Sequence, residues 1–300
     1  MTAPFPTGVF CASVTPFNAD LSPDLGLFAS HCQRLLDDGC TGIAMLGTTG
    51  EANSLSSRER MDLLEAALKN GVAPSQLLPG TGVAAFTETV ALTKHALANG
   101  VQTVVMLPPF YYKGVSDDGI VAAYSEVIER VADPRLRVVL YHIPQMSAVP
   151  LSLDVVGRLR EKFPEIVVGI KDSSGDFANM SAILERFPGF SLLAGADPLM
   201  LSLLKKGGAG CITATSNLVA ADLATVFNGH ADEAQQQQVA AAQERIVVAR
   251  NAVSRYAQMA SIKALLAKRD GHEGWTRQRP PLTPLTAQEA AEVHASFNAA

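Results

Sequence analysis

What most restricts the fold of this chain is a regular alternation: short apolar runs rich in Val, Ile and Leu take turns with longer segments of helical period. Eight runs read as strands, at 8–14, 42–46, 76–79, 103–107, 137–141, 166–171, 191–194 and 210–213. The segments between them carry helix boundaries. Ser56 and Glu59 have capping-box spacing ahead of the apolar row Met61, Leu64 and Leu68, and Gly71 supplies a stop. Asp197 followed by Pro198 reads as an N-cap with proline at the first helical position. Strands that are apolar on both faces and joined by helices belong in parallel sheets. Eight such units predict an α/β chain built as a (β/α)8 TIM barrel over residues 1–225, with a doubly wound sheet as the alternative. Beyond it, Ala, Gln and Val at helical spacing predict a C-terminal helical extension, 226–300, packed on the barrel.

Composition narrows the partners. A chain of 300 residues, 48% hydrophobic and 18% charged, can bury a sizeable core. Its net charge of -5 and lack of a basic block argue against a nucleic-acid groove or an anionic membrane as main partner, which leaves small molecules. No apolar run approaches the roughly 20 residues of a membrane span. Residues 1–6 have neither the basic start nor the apolar stretch of an export signal, so a cytoplasmic location is expected. Cys11, Cys32, Cys40 and Cys211 form no C-x-x-C pair, and no two histidines have H-E-x-x-H spacing. Buried thiols are therefore predicted, and no metal.

In such a barrel, reactive side chains collect where strands end. After the second run, Gly47-Thr48-Thr49-Gly50-Glu51 offers two hydroxyls and several free amides, suited either to cradling a carboxylate or to capping the next helix. Gly80-Thr81-Gly82-Val83-Ala84-Ala85 matches the G-x-G-x-x-A dinucleotide fingerprint in form, yet residues 99–107 lack the acidic group that would hold a ribose. The sixth run is apolar until Lys171. Desolvation there favours a neutral amine able to attack a carbonyl carbon; the alternative is a lysine that snorkels outward and pairs with Glu51, Asp172 or Asp176. Tyr141, at the same end of the fifth run, favours the nucleophile, because a phenol can pass protons to and from a carbinolamine. Pro108-Pro109-Phe110-Tyr111-Tyr112 is long and aromatic, fit to wall a site or reach a neighbouring subunit. His31, His95 and His142 lack a nucleophile context and are expected to be structural, and no carboxylate pair supplies glycosidase chemistry.

Six motifs in order, Val14-Thr15-Pro16-Phe17, Gly47-Thr48-Thr49-Gly50-Glu51, Pro109-Phe110-Tyr111-Tyr112, Tyr141-His142-Ile143-Pro144, Gly169-Ile170-Lys171-Asp172 and Gly210-Cys211-Ile212, resemble the dihydrodipicolinate synthase and N-acetylneuraminate lyase family of Schiff-base aldolases. The resemblance implies that Lys171 condenses with the ketone of pyruvate or another 2-oxo acid while Thr48 and Thr49 hold its carboxylate. It implies that Tyr141 relays protons with Thr48 and with Tyr112, the latter from the adjacent subunit of a homotetramer, and that no metal or organic cofactor takes part. Gly47, Ser173, Gly195, Asp197 and Ile212 would surround the substrate. The departures concern the acceptor. Met146 stands where the synthases carry an arginine, Asp197-Pro198 where sialic acid lyases carry an Asp-Glu pair, and Ala214 where that branch has a hydroxyl. A thioether cannot make a bidentate carboxylate pair, so a shorter or less hydroxylated acceptor is expected, such as a 2-keto-3-deoxy sugar acid cleaved to pyruvate and an aldehyde. The alternatives are a 4-hydroxy-tetrahydrodipicolinate synthase, a sugar-acid dehydratase using the same imine, a non-catalytic 2-oxo acid binding protein, and a nucleotide-dependent oxidoreductase resting on the 80–85 string.

Overall fold

A computed structural model describes residues 6–298; most of the 1–6 segment read for an export signal lies outside them. Seven strands are parallel: β1 (Gly8–Cys11), β2 (Gly42–Ile43), β3 (Thr103–Met106), β4 (Arg137–His142), β5 (Val167–Asp172), β6 (Ser191–Ala194) and β7 (Gly210–Thr213). They lie in the order β2-β1-β7-β6-β5-β4-β3. The run expected as an eighth strand at 76–79 is not a regular strand. Gln76 ends a 3-10 turn, and Pro79 has no N–H to donate to a ladder. The segment nevertheless bonds on both sides: Leu78 and Gly80 donate to the Ile43 and Met45 carbonyls, while Thr81 donates to Val105 and Val105 donates to Pro79. It is the stave that closes the TIM barrel between β2 and β3.

That closure explains the glycine string. A Cβ on Gly80 would lie 2.3 Å from the Leu46 carbonyl oxygen, and one on Gly82 would lie 2.3 Å from the Leu107 nitrogen. Both contacts are to backbone, which cannot swing away. Two glycines at this spacing are what a tight crossing of neighbouring staves needs.

Helices α1 (Leu25–Asp37), α2 (Ser57–Lys69), α3 (Phe86–Ala98), α4 (Asp117–Val131), a single turn α5 (Pro144–Ser147), α6 (Leu153–Lys162), α7 (Phe177–Arg186), α8 (Met200–Lys205) and α9 (Ser216–Gly229) follow the strands. The capping box at Ser56 and Glu59 is formed as expected. The cap expected at Asp197 is not: a 3-10 turn, Asp197–Leu199, precedes α8, and the Asp197 carboxylate turns inward instead. Strand residues split between two apolar clusters. Val139, Tyr141, Ile143, Val168 and Ile212 fill the lumen, whereas Val138, Leu140, Val167, Ile170 and Cys211 pack outward on the helices. All four cysteines are buried with free thiols, and burial pushes those of Cys11, Cys32 and Cys211 up. Among the described residues, no helix is long and apolar enough to cross a membrane.

Helices α10 (Gln236–Ser254), α11 (Gln258–Asp270) and α12 (Ala287–Phe297) complete the chain. Trp275, fully buried, joins Val253, Ile262, Leu266 and Val293 to Val14 and Ala214 at the barrel mouth. His31 of α1 stands edge-on to Trp275, 4.9 Å between centroids, and its Nε2 meets Asn217 Oδ1 at 2.8 Å. That oxygen also accepts from the Val14 amide, so Nε2 must donate, and Arg34 faces the other ring nitrogen.

Two outcomes follow from these contacts. Gly82→Ala should cost about 3 kcal/mol in denaturant unfolding, since backbone must shift to admit the methyl; a loss too small to measure would contradict the close crossing. Burial pushes the His31 imidazole down to about 3, so it stays neutral when folded and binds a proton once unfolded, below the ordinary value of about 6.5. The unfolded state thus carries more protons between those pH values, and stability falls as pH drops through that window, by up to about 1.4 kcal/mol per unit. His31→Gln should flatten that slope, and equal slopes would refute the assignment.

Candidate active site

Lys171 and Tyr141 occupy facing positions in the register of β5 and β4. How both come to point inward is a matter of strand phase. Val138 pairs with Val167 and Val139 pairs with Gly169, so Val168 is an extra residue without a partner on β4. This bulge shifts the alternation by one, and the residues after it change sides. Lys171 thereby faces the lumen with Tyr141, and Ile170 and Asp172 face out. Gly169 suits the crowded point just after the bulge, since a Cβ there would lie 2.6 Å from the Ser191 carbonyl oxygen.

The Lys171 side chain is only 6% exposed, with Nζ 4.2 Å from the centroid of the Tyr141 ring. Among the described residues it makes no ion pair. The carboxylates that might have neutralised it are committed elsewhere: Glu51 to Lys263, Asp172 to Ser174 and Asn179, Asp176 to the first amides of α7. Burial alone would raise the Tyr141 phenol, but the Lys171 ammonium and hydrogen bonds with Thr48, Ser173 and Lys171 outweigh it and hold the phenol below its ordinary value. An amine and an acidified phenol thus share one desolvated spot, a pairing suited to moving protons during addition to a carbonyl.

Thr48 and Thr49 sit on a turn between β2 and α2 that is left-handed at both ends: Leu46 has φ 60° and Glu51 φ 55°. A cavity of about 30 Å3 opens beside it, lined by Gly47, Thr48, Tyr141, Lys171 and Ile212 together with Asn53 and Arg60. Thr49 is half-buried on the same turn but does not line it. Ser173 stands just past Lys171, and Gly195 leaves it room, since a Cβ there would lie 1.9 Å from the Ser173 hydroxyl oxygen. Asp197 is sealed away, fully buried, accepting from Thr215 at 3.0 Å and from Arg250 at 3.3 Å. Tyr112 is 72% exposed on the outer loop, edge-on to Tyr111 with 5.4 Å between centroids, and does not reach this cavity.

Two buried cations escaped the sequence reading. Arg60 donates to the Leu46 and Gly80 carbonyls, its Nε has no partner among the described residues, and burial pushes it down to about 10. Lys263, on α11, pairs with Glu51 beneath the turn. Arg60 lies on a helix that reads as amphipathic; the only local hint for Lys263 is its position between Ile262 and Leu265.

The dihydrodipicolinate synthetase family matches residues 5–300 of the chain. An uncharacterized DapA-like lyase of Chloroflexus aurantiacus is 34% identical over 97% of this chain and 96% of its own length. A 4-hydroxy-tetrahydrodipicolinate synthase of Phenylobacterium zucineum is 31% identical over 99% and 98%. Among solved structures, dihydrodipicolinate synthase from Agrobacterium tumefaciens superposes with a TM-score of 0.89 at 29% identity, covering 97% of this chain and 98% of that one. The chloride-inhibited dihydrodipicolinate synthase of Acinetobacter baumannii, complexed with pyruvate, gives 0.86 at 27%, covering 97% and 98%. The chain belongs to the dihydrodipicolinate synthetase family and is a lyase of the class I aldolase type.

Proposed function

We propose that the protein joins or splits a carbon–carbon bond between pyruvate and an aldehyde through an imine on Lys171. The observation that carries this reading is the buried, carboxylate-free ammonium of Lys171 against the Tyr141 ring. In the cleavage direction, the amine adds to the substrate's ketone carbon, and Tyr141 moves the protons that turn the carbinolamine into an imine and water. The protonated imine accepts the electron pair of the C3–C4 bond as C4 becomes an aldehyde and its hydroxyl loses a proton. The enamine left behind is protonated at C3, and water releases pyruvate and the free lysine. Thr48 and the amides of the turn hold the carboxylate, Gly47 and Ile212 shape the walls, and the family resemblance adds Thr49, Ser173 and Gly195 around the substrate.

The acceptor is proposed from the mouth. Met146, 62% exposed on the turn after β4, offers a thioether where an arginine would clasp a carboxylate. An acceptor without a carboxylate at that position fits best, as in cleavage of a 2-keto-3-deoxy sugar acid. The names of relatives at 29–31% identity favour a second reading, 4-hydroxy-tetrahydrodipicolinate synthase, which needs aspartate semialdehyde as acceptor. A homotetramer is proposed from the family resemblance, and the exposed side chains of Tyr111, Tyr112, Val115 and Met146 are apolar surface that a second subunit would cover. Tyr112 would then complete a partner's site.

Borohydride reduction in the presence of pyruvate should fix a stable adduct on Lys171, located by peptide mapping; Lys171→Ala should give neither adduct nor turnover. Folded protein without an adduct sinks the imine mechanism, and turnover of aspartate semialdehyde in preference to sugar-derived aldehydes would select the synthase. Tyr141→Phe should keep the adduct but lower kcat by about 100-fold or more. A loss of only a few-fold would remove Tyr141 as the proton carrier.

A further inference from the structure

The turn that carries Thr48 and Thr49 is held in an unfavourable form from outside the barrel. Leu46 and Glu51 are non-glycine residues in the left-handed region, which persists only where surroundings over-determine it. Three groups do so. Thr15 donates to the Gly50 carbonyl at 2.7 Å, and a Cβ on Gly50 would lie 2.9 Å from the Ser13 carbonyl oxygen, so that end is pressed against the segment after β1. Arg60 reaches the Leu46 carbonyl at 3.5 Å while bonding the neighbouring Gly80 carbonyl at 2.7 Å. Lys263 grips Glu51, donates to the Arg277 carbonyl at 2.8 Å and stands 4.5 Å from the centroid of the Phe17 ring.

The third tie differs from the others in origin and in charge. Lys263 lies 212 residues from Glu51 along the chain, on the C-terminal extension, and both side chains are buried. The adjoining segment adds Arg279, which donates to the Ser54 carbonyl at 2.6 Å and to Glu59 at the start of α2. An unpaired Glu51 carboxylate would sit at the end of the very turn that is to receive an anion. Lys263 removes that repulsion without itself bonding to Thr48 or Thr49. Removing one member of a buried ion pair leaves a bare charge, whereas replacing both is close to neutral.

We propose that Lys263 is a positioning residue: acting through Glu51, it fixes the 46–51 turn in the form that presents Thr48 and Thr49 to the substrate carboxylate. This rests on the reading of that turn as the carboxylate cradle. The C-terminal extension thereby takes part in substrate binding without touching substrate.

The test has two readouts on the full chain. Amide exchange of residues 46–55 is measured without pyruvate, and the pyruvate concentration giving half-maximal borohydride-trapped adduct is measured separately. In Lys263→Met, both should rise about tenfold, with unchanged adduct at saturating pyruvate and unchanged exchange in β6 and β7. Adding Glu51→Gln to Lys263→Met should bring both back to within about threefold of the parent protein. Values for Lys263→Met within about twofold of the parent, or exchange that quickens across the whole chain, would overturn the proposal. Should Lys263→Met not fold, Glu51→Gln alone carries the same two measurements with the same expectation. A parent protein that takes up no pyruvate would sink the proposed function instead, and the exchange of 46–55 would then decide the tie by itself.

Discussion

An ammonium buried among apolar strand residues has to be balanced, and at the mouth of this barrel the partner of Lys171 is an aromatic ring rather than a carboxylate. The choice has consequences in every direction. A carboxylate in contact would fix the charge on the amine and compete with an incoming anion. The face of Tyr141 stabilises the cation more weakly and brings a hydroxyl whose acidity the cation itself increases. Keeping carboxylates away then becomes a requirement on the neighbours. Asp172 faces the helices and is satisfied by Ser174 and Asn179, and Glu51 is neutralised by Lys263. Arg60, without a counter-charge among the described residues, leaves the cavity with a positive excess.

Much of this was legible in the sequence, for identifiable reasons. Strand and helix alternation survives in any linear reading because each element carries its own period, and the capping box at Ser56 is a purely local signal. The Tyr141 and Lys171 pair was legible because both end apolar runs. Less legible was anything that depends on a distant partner. The 76–79 run read as a strand, but Pro79 breaks its ladder toward β3, and only the closed barrel gives Gly80 and Gly82 their meaning. Asp197 next to Pro198 has the local chemistry of a helix cap, yet Thr215 and Arg250 offer its carboxylate better partners. Lys263 looked like one more charge on a helix, because the residue that buries it lies at the other end of the chain.

The two halves of the mouth differ in kind. On the side of the 46–51 turn, polar groups are fixed from behind and little is left to adjust. On the side of α5 and the loop after β3, Met146, Tyr111 and Tyr112 are exposed and mostly apolar. A constant 2-oxo acid matched to the rigid half and a variable aldehyde matched to the adaptable half would use that division, since preorganised polar contacts and repacking apolar surfaces serve different kinds of selectivity.

In a strand, inward and outward are odd and even. Because Val168 occupies a place that β4 does not answer, β5 obeys one parity below it and the opposite parity above. The side of the sheet on which the amine emerges thus depends on a valine being looped out as a bulge, a residue that carries no charge and takes no part in the chemistry. Were β5 to keep Val168 but run on from Val167 in strict alternation, without the bulge, Asp172 would look into the lumen and Lys171 into the helices. The barrel would then offer an acid where it now offers a base.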